Sequence, residues 1–336
     1  MKKKSAKATI TEVAQRAGVS IATVSRVLSG AGNVRPDTCG RVAAAAAALG
    51  YARDAGQRPA RRRLAVVVLP EISNPFYAKV LQGIQVSAAS RGLDTLVYPC
   101  GEHAGPGARL IALLGAVNAC GCILLVPVAD VNVLAAIDRA APVVQCAEYN
   151  DQSPLPYVSV DDFAAARNAV VMLLERGCGR VALINGPERF KYARQRYRGY
   201  AEALREAGLA VNPALVCRVA EMDFESCYAA ARQLLCAYER PDAILAASDM
   251  FAAAVVKAAH AEAVRIPEDC ALIGFDNTFL SQVCHPSVTA VSLPQYQLGY
   301  MACEMLAERM LNPSVESRQV LLKTELVIRE TTGDAR

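Results

Sequence analysis

The 336-residue sequence predicts a small all-α headpiece built on a helix-turn-helix, followed by an α/β region of two lobes, each around a doubly wound parallel sheet. Three observations predict it. Thr11 to Leu28, reading TEVAQRAGVSIATVSRVL, holds two short amphipathic patterns that meet at Gly18. Residues 1–63 carry a net charge of +10, whereas the remainder carries −6. From Leu64 onward, short apolar runs alternate with stretches of helical periodicity.

In the first pattern, Val13, Ala14 and Ala17 fall on one helix face. Gly18 permits the left-handed backbone that ends a helix, and Val19 points back into the core. Ser20 suits the N-cap of a second helix in which Val24 and Val27 face inward. Its outward surface is then Ile21, Ala22, Thr23, Ser25 and Arg26. In such a motif the first helix braces across the DNA backbone and the second offers its N-terminal residues to the major groove. Any two short amphipathic helices can share such a turn, so the charge context decides. A basic head on an acidic body is the electrostatic footprint of nucleic-acid binding by the head alone. Lys2 to Lys7 read as a solvated tail. Pro36 and Asp37 suit the start of a third, alanine-rich helix and Gly50 its stop, which bounds the headpiece at residues 1–51. Residues 52–63 combine Gly56, Pro59 and unpatterned arginines, the composition of a hinge whose cations can lie along phosphates.

The remaining chain, 64–336, is expected to form the two lobes. Leu64 to Leu69 is an apolar run suited to a strand buried on both faces. Further strands are expected at Leu93 to Tyr98, Cys122 to Val126, Pro142 to Cys146, Tyr157 to Val160, Arg180 to Asn185, Leu215 to Val219, Ala243 to Ala246 and Ala271 to Phe275. Helices are expected near Phe76 to Arg91, Pro106 to Asn118, Val131 to Arg139, Asp162 to Arg176, Tyr197 to Ala207, Phe224 to Tyr238 and Phe251 to Ala263. This alternation means parallel sheets, and the stretch is too long for one sheet core. Lobe 1 is expected over about 64–160 plus 290–312, and lobe 2 over about 161–289 plus 319–330. Doubly wound sheets bind ligands beyond the carboxyl ends of their strands. Ser73 to Tyr77, Gly186 to Glu188, Ser248-Asp249 and Asp276-Asn277 all follow strands, and together they describe a cleft for a small polar molecule with a flat body. Singly, Asn74 and Asp249 also suit ordinary helix starts.

Several classes are disfavoured. No apolar run could cross a bilayer, and the N-terminus lacks a secretory h-region, so a cytoplasmic, nucleoid-associated protein with no membrane partner is expected. Twelve cysteines suit a reducing compartment. Cys120-Gly121-Cys122 and three histidines offer no paired ligand spacing, so no metal and no cofactor are expected. No phosphate-cradling glycine motif or nucleophile elbow supports an enzyme, and no catalytic residues are assigned. A ligand-binding receptor without a DNA role is the other class considered; the basic head counts against it.

TITEVAQRAGVSIATVSRVL, LGY at 49–51, LPEISNPFYAKVLQGI and PEDCALIGFDN together resemble the LacI/GalR family of bacterial repressors, in the right order over nearly the whole chain. GPERFKYARQRYRGYAEALREAGL and FDNTFLSQVCHPSVTAVSLPQY are most similar to its cytidine-responsive subgroup. The resemblance implies a periplasmic-binding-protein-like core and a homodimer on a near-palindromic double-stranded operator. It also implies a small effector, with a pyrimidine nucleoside as first choice and a purine or sugar as second. It implies base-edge contacts by Ile21, Ala22 and Arg26, the arginine suited to guanine. Thr9, Thr11, Ser20, Thr23, Ser25 and Asn33 join the DNA contacts, mostly at phosphates. Arg196, Asp276 and Phe224 are implied effector residues, with Phe76, Tyr77, Asp161 and Asp249 beside them. An ion pair between Arg196 and Asp276 is the structural alternative. A readout this thin leaves room for a co-regulator protein.

The sequence departs from the family pattern in the hinge. Tyr51-Ala52-Arg53-Asp54 is followed by AGQRPARRR, with no leucine before Leu64 to wedge into a minor groove. Weak DNA bending and tolerance of half-site spacing are therefore expected. Single base-pair insertions at the operator centre should cost little affinity in a gel-shift titration; a many-fold loss for each insertion would contradict this.

Overall fold

Gly18 adopts φ 65°, closing the first helix so that the Val19 amide reaches the Ala14 carbonyl at 3.1 Å. The first helix, α1, spans Ile10–Ala17; α2 spans Ile21–Ser29 and α3 Pro36–Ala48. The computed structural model describes residues 9–29, 34–49, 51, 63–101, 107–312 and 314–333. The hinge expectation lies largely outside these residues, as do Asn33 and Lys2 to Lys7. Val13, Val24 and Val42, one from each helix, are fully buried among Ala14, Ala17, Ala45 and Ala46. Small side chains let three short helices approach closely, and half-buried Ile10, Val19, Val27, Leu28, Leu49 and Tyr51 close the cluster. The chain divides into this unit, residues 1–62, and a second unit, residues 63–336.

The second unit runs β1 (Arg63–Leu69), α4 (Pro75–Ser90), β2 (Leu93–Pro99), α5 (Ala108–Ala116), β3 (Gly121–Leu124), α6 (Val131–Ala140), β4 (Val143–Cys146), β5 (Tyr157–Val160), α7 (Asp162–Glu175), β6 (Val181–Asn185), α8 (Lys191–Glu206), β7 (Val216–Arg218), α9 (Phe224–Leu235), β8 (Ala243–Ala246), α10 (Asp249–Ala261), β9 (Ala271–Asp276), α11 (Phe279–Val283), β10 (Thr289–Ser292), α12 (Gln295–Leu311), β11 (Gln319–Leu322) and β12 (Glu325–Val327). One six-stranded sheet has the order β2-β1-β3-β4-β5-β11, the other β7-β6-β8-β9-β10-β12. All neighbours are parallel except β10 and β12. The two sheets therefore repeat one strand order, differing in the direction of the last strand, and each has its switch point where the order reverses beside its first strand.

Two boundaries and one helix start differ from expectation. β10 pairs with β9, so lobe 2 extends to Ser292. β11 pairs with β5, so residues 319–322 belong to lobe 1 and only β12 returns to lobe 2. Short edge strands carry no pattern that tells which sheet they join. Helix α8 begins at Lys191 rather than Tyr197, because its inward face starts with Lys191, Ala193 and Arg196, two of them polar. The last helix of each lobe crosses over: α7 follows β5 of lobe 1 and packs on α8, while α12 follows β10 of lobe 2 and packs on α4. Both crossings need glycine. A Cβ on Gly299 would lie 1.9 Å from the Val80 carbonyl oxygen, and one on Gly199 would lie 2.3 Å from that of Phe163. Among the described residues, no helix is long and apolar enough to cross a bilayer.

Gly299→Ala should therefore destabilise lobe 1 by about 1–3 kcal/mol through backbone overpacking. Urea unfolding of the variant beside an exposed control, Gly115→Ala, would measure it; equal stability of the two would refute the close approach.

Candidate functional site

In the headpiece, Thr9 forms a reciprocal capping box with Glu12: the Thr9 amide donates to Glu12 Oε2 at 2.6 Å, and the Glu12 amide donates to Thr9 Oγ1 at 3.4 Å. Ser20 Oγ accepts the Thr23 amide at 3.2 Å and lies 2.9 Å from Thr23 Oγ1. Thr9, Ser20 and Thr23 therefore fix the helices as well as facing outward. Ile21, Ala22 and Arg26 on α2 are exposed together, with Ser25 half-buried beside them and Thr11 exposed on α1. A cap at Ser20 presents the first turn of α2 to whatever lies before it, as insertion into a groove requires.

In the second unit, a cleft partly open to solvent lies between the carboxyl ends of the two sheets, the place where doubly wound sheets take their ligands. Lobe 1 contributes Phe76 and Tyr77 after β1 and Glu148 after β4. Lobe 2 contributes Asp162, Phe190, Tyr192, Arg196 and Asp276. Asn74 caps α4 by accepting the Phe76 amide at 3.0 Å, which aims the two rings, 5.3 Å apart and edge to face, into the space. On the other wall, the Tyr200 hydroxyl donates to the Val181 carbonyl at 2.8 Å and seats α8 on its sheet.

The buried charges form one network. Asp162 accepts Lys191 Nζ at 2.6 Å and Arg196 Nε at 2.8 Å. Arg196 also donates to the Ala247 carbonyl at 2.6 Å and stacks 3.9 Å above the Phe275 ring. Lys191 bridges the lobes by donating to Ser159 Oγ at 2.9 Å. Glu148 accepts the Lys191 and Tyr192 amides at 2.6 and 3.2 Å, so a lobe 1 carboxylate caps a lobe 2 helix. Burial alone would raise the Asp162 carboxyl, but Lys191 and Arg196 hold it below the usual carboxylate range. Burial raises Glu148, against the pull of Lys191. Burial also pushes Asp276 up to about 7, opposed by Arg196 and reinforced by Asp249 and Asp162. Tyr77 is driven well above the ordinary phenol range, chiefly by burial.

Phe76, Tyr77, Arg196 and Asp276 line the cavity as expected, whereas Asp161, Phe224 and Asp249 do not. Asp161 is exposed and caps α7 through the Ala164 amide at 2.9 Å; its neighbour Asp162 is the one that turns inward. Phe224 packs on Tyr228, with Lys257 5.3 Å over its ring, and Met222 stands at the cavity instead. Asp249 is buried behind Asp276 and accepts the amide and hydroxyl of Thr278. The alternative ion pair is also corrected: the partner of Arg196 is Asp162. Glu148, Asp162, Phe190 and Tyr192 also line the cleft, with Lys191 behind them, and none of the five is expected there from the sequence. The available signal was weak, namely the adjacent pair Asp161-Asp162 and a charged stretch opening α8.

Residues 9–54 match the model of bacterial regulatory proteins of the lacI family, and residues 170–332 match the periplasmic binding protein-like domain. The chain is 34% identical over 335 residues to the HTH-type transcriptional repressor CytR of Escherichia coli K12, with 98% of each covered. It is 31% identical to catabolite control protein A of Priestia megaterium, covering 96% of this chain and 99% of that one. Among solved structures, a complex of the transcriptional regulator CelR with cellobiose superposes with a TM-score of 0.74 at 30% identity, covering 96% and 99% of the two chains. The lac repressor dimer bound to operator and the anti-inducer ONPF superposes with a TM-score of 0.74 at 26% identity, covering 98% and 100%.

Replacing Asp162 by alanine leaves two buried cations without their carboxylate, and should cost about 3–5 kcal/mol in urea unfolding at neutral pH. Because the folded-state carboxyl titrates below its unfolded value, its contribution is complete above the ordinary carboxylate range and lost as pH falls below it. The gap between wild type and variant should therefore close in acid. A gap that stays constant from pH 7 to pH 3 would disprove the ionic role.

Proposed function

The chain belongs to the lacI family of bacterial regulatory proteins and is a DNA-binding transcriptional regulator, and we propose that it is a homodimeric repressor whose operator affinity is set by an uncharged nucleoside in the interlobe cavity. The single observation that carries this reading is the balance of charge in the cavity. Of the lining carboxylates, Asp162 is taken up by Arg196 and Lys191, which leaves Glu71, Glu148 and Asp276 as the surplus of negative charge, while the lining guanidinium, Arg196, is held by Asp162, the Ala247 carbonyl and the Phe275 ring. Such a wall offers acceptors to hydroxyl and amino donors and repels phosphate. The rings of Phe76, Tyr77, Phe190 and Tyr192 supply apolar, flat surface from both lobes, which suits a base. In this reading Asp276 pairs with ribose hydroxyls, which its place in the lining supports. A sugar is the second reading, favoured by the cellobiose held by the similar CelR structure, and a purine is the third.

In this reading, Ile21, Ala22 and Arg26 contact base edges, and Thr9, Thr11, Ser20, Thr23 and Ser25 hold the operator backbone. Catalysis has no part in the mechanism, and binding to a chromosomal operator calls for a cytoplasmic location. Effector and operator are coupled through the relation of the lobes: a ligand that prefers one lobe arrangement shifts the population, and with it the operator affinity.

Thermal-shift screening of nucleosides, purines and sugars against the full chain should give its largest stabilisation with a pyrimidine nucleoside. A response confined to hexoses would overturn the nucleoside reading. Asp276→Ala should abolish the response while operator binding in gel shifts remains within about threefold of wild type; an unchanged response would remove Asp276 from the effector site.

A further inference from the structure

Asp276 and Asn277 both occupy the left-handed region, at φ 95° and 58°. Neither is glycine, and two consecutive residues persist there only where the surroundings over-determine the turn. Three side chains do so. Gln295, in the first turn of α12, donates to the Asp276 carbonyl. Arg329 donates to Asn277 Oδ1. Asp249 Oδ2 takes both the amide and the hydroxyl of Thr278, the latter at 2.9 Å. Asp249 is 1% exposed, although it opens a helix and would ordinarily face solvent there. It is not needed as that helix's cap, because Ser248 Oγ accepts the Phe251 amide at 3.2 Å. Room for it is made by Gly274, whose Cβ would stand 3.0 Å from Asp249 Oδ1.

We propose that Asp249 is a positioning residue for the effector: from behind the cavity it locks the Asp276–Thr278 turn, so that the Asp276 carboxylate is presented to the ligand without rearrangement. This rests on the effector reading given above. Preorganisation of this kind raises affinity by removing the cost of ordering the loop on binding. An acid at position 249, rather than an amide, has a second effect: its charge raises the proton affinity of Asp276. The other charged or titratable groups facing Asp276 are Arg196 from α8, Asp162 from α7 and Tyr77 from α4, and those facing Asp249 are Arg329 and Cys284. Asp276 accepts ligand hydroxyls when ionised, so affinity should fall as pH drops through its titration. Removing the charge of Asp249 should move that fall to lower pH.

The test is isothermal titration of the full chain with cytidine between pH 5.5 and 8.5, for wild type, Asp249→Ala, Asp249→Asn, Thr278→Val and Asp276→Ala. Asp249→Ala should weaken cytidine about tenfold or more, and Thr278→Val, which loses both the hydroxyl donor to Asp249 and the cap on the Leu280 amide but keeps the Thr278 amide bond to Asp249, should weaken it by less. Asp249→Asn retains the acceptor for Thr278 and should bind near wild type at pH 8.5, with its low-pH loss displaced downward. Unchanged affinity in Asp249→Ala and Thr278→Val, alongside loss in Asp276→Ala, would overturn the positioning role and leave the effector site standing. An Asp249→Asn profile that superposes on wild type would overturn the charge effect of Asp249 on Asp276, with the positioning role decided by Asp249→Ala and Thr278→Val. Undiminished cytidine binding by Asp276→Ala would instead overturn the effector reading itself.

Discussion

Asp162 carries a buried charge between two buried cations, and the relation of the two lobes depends on that arrangement. Its carboxylate neutralises Lys191, which reaches into lobe 1, and Arg196, which forms part of the cavity wall. Desolvating three charges is costly, and such clusters persist when each lone pair and each N–H has a partner. Here Ser159, the Val160 and Ala247 carbonyls and the Phe275 ring complete the set. The Glu148 carboxylate adds a helix cap across the same seam. The bonds that cross the seam are those of Lys191 to Ser159 and Val160 and of Glu148 to the Lys191 and Tyr192 amides, so separating the lobes there would re-solvate those groups together.

The cavity inherits its chemistry from this hub. With Arg196 already engaged, the wall presents carboxylates and rings, the feature on which the proposed neutral ligand rests. On the proposed reading, the residues that tie the lobes together also set the kind of molecule the cleft accepts.

Much of this was legible in the sequence, for identifiable reasons. The headpiece could be read because Val13, Gly18, Ser20 and Val24 each do a local job that spacing reveals. The alternation of strands and helices could be read because strands such as Leu64 to Leu69 are buried on both faces and so lack polar residues. What escaped were features decided by tertiary contact. Asp161 and Asp162 are indistinguishable in sequence, yet one caps a helix in solvent and the other sits in the core. Position 224 is aromatic in a suitable place, but its ring finds Tyr228 and Lys257 before it finds the cleft. Edge strand β11, with its alternating exposure, carries no mark of the sheet it joins.

The crossed helices have a consequence for how the chain is made. Lobe 1 appears first from the ribosome, but its sheet waits for β11 and its surface for α12, both encoded after nearly all of lobe 2. Domains ordinarily fold in the order of their synthesis. Here the lobe begun first is finished last, and until α12 has been made, the face of α4 that it covers stays open, Val80 and Ile84 with it. An apolar face of α4 therefore waits for its cover through the synthesis of lobe 2, a delay that two consecutive, uncrossed lobes would not impose.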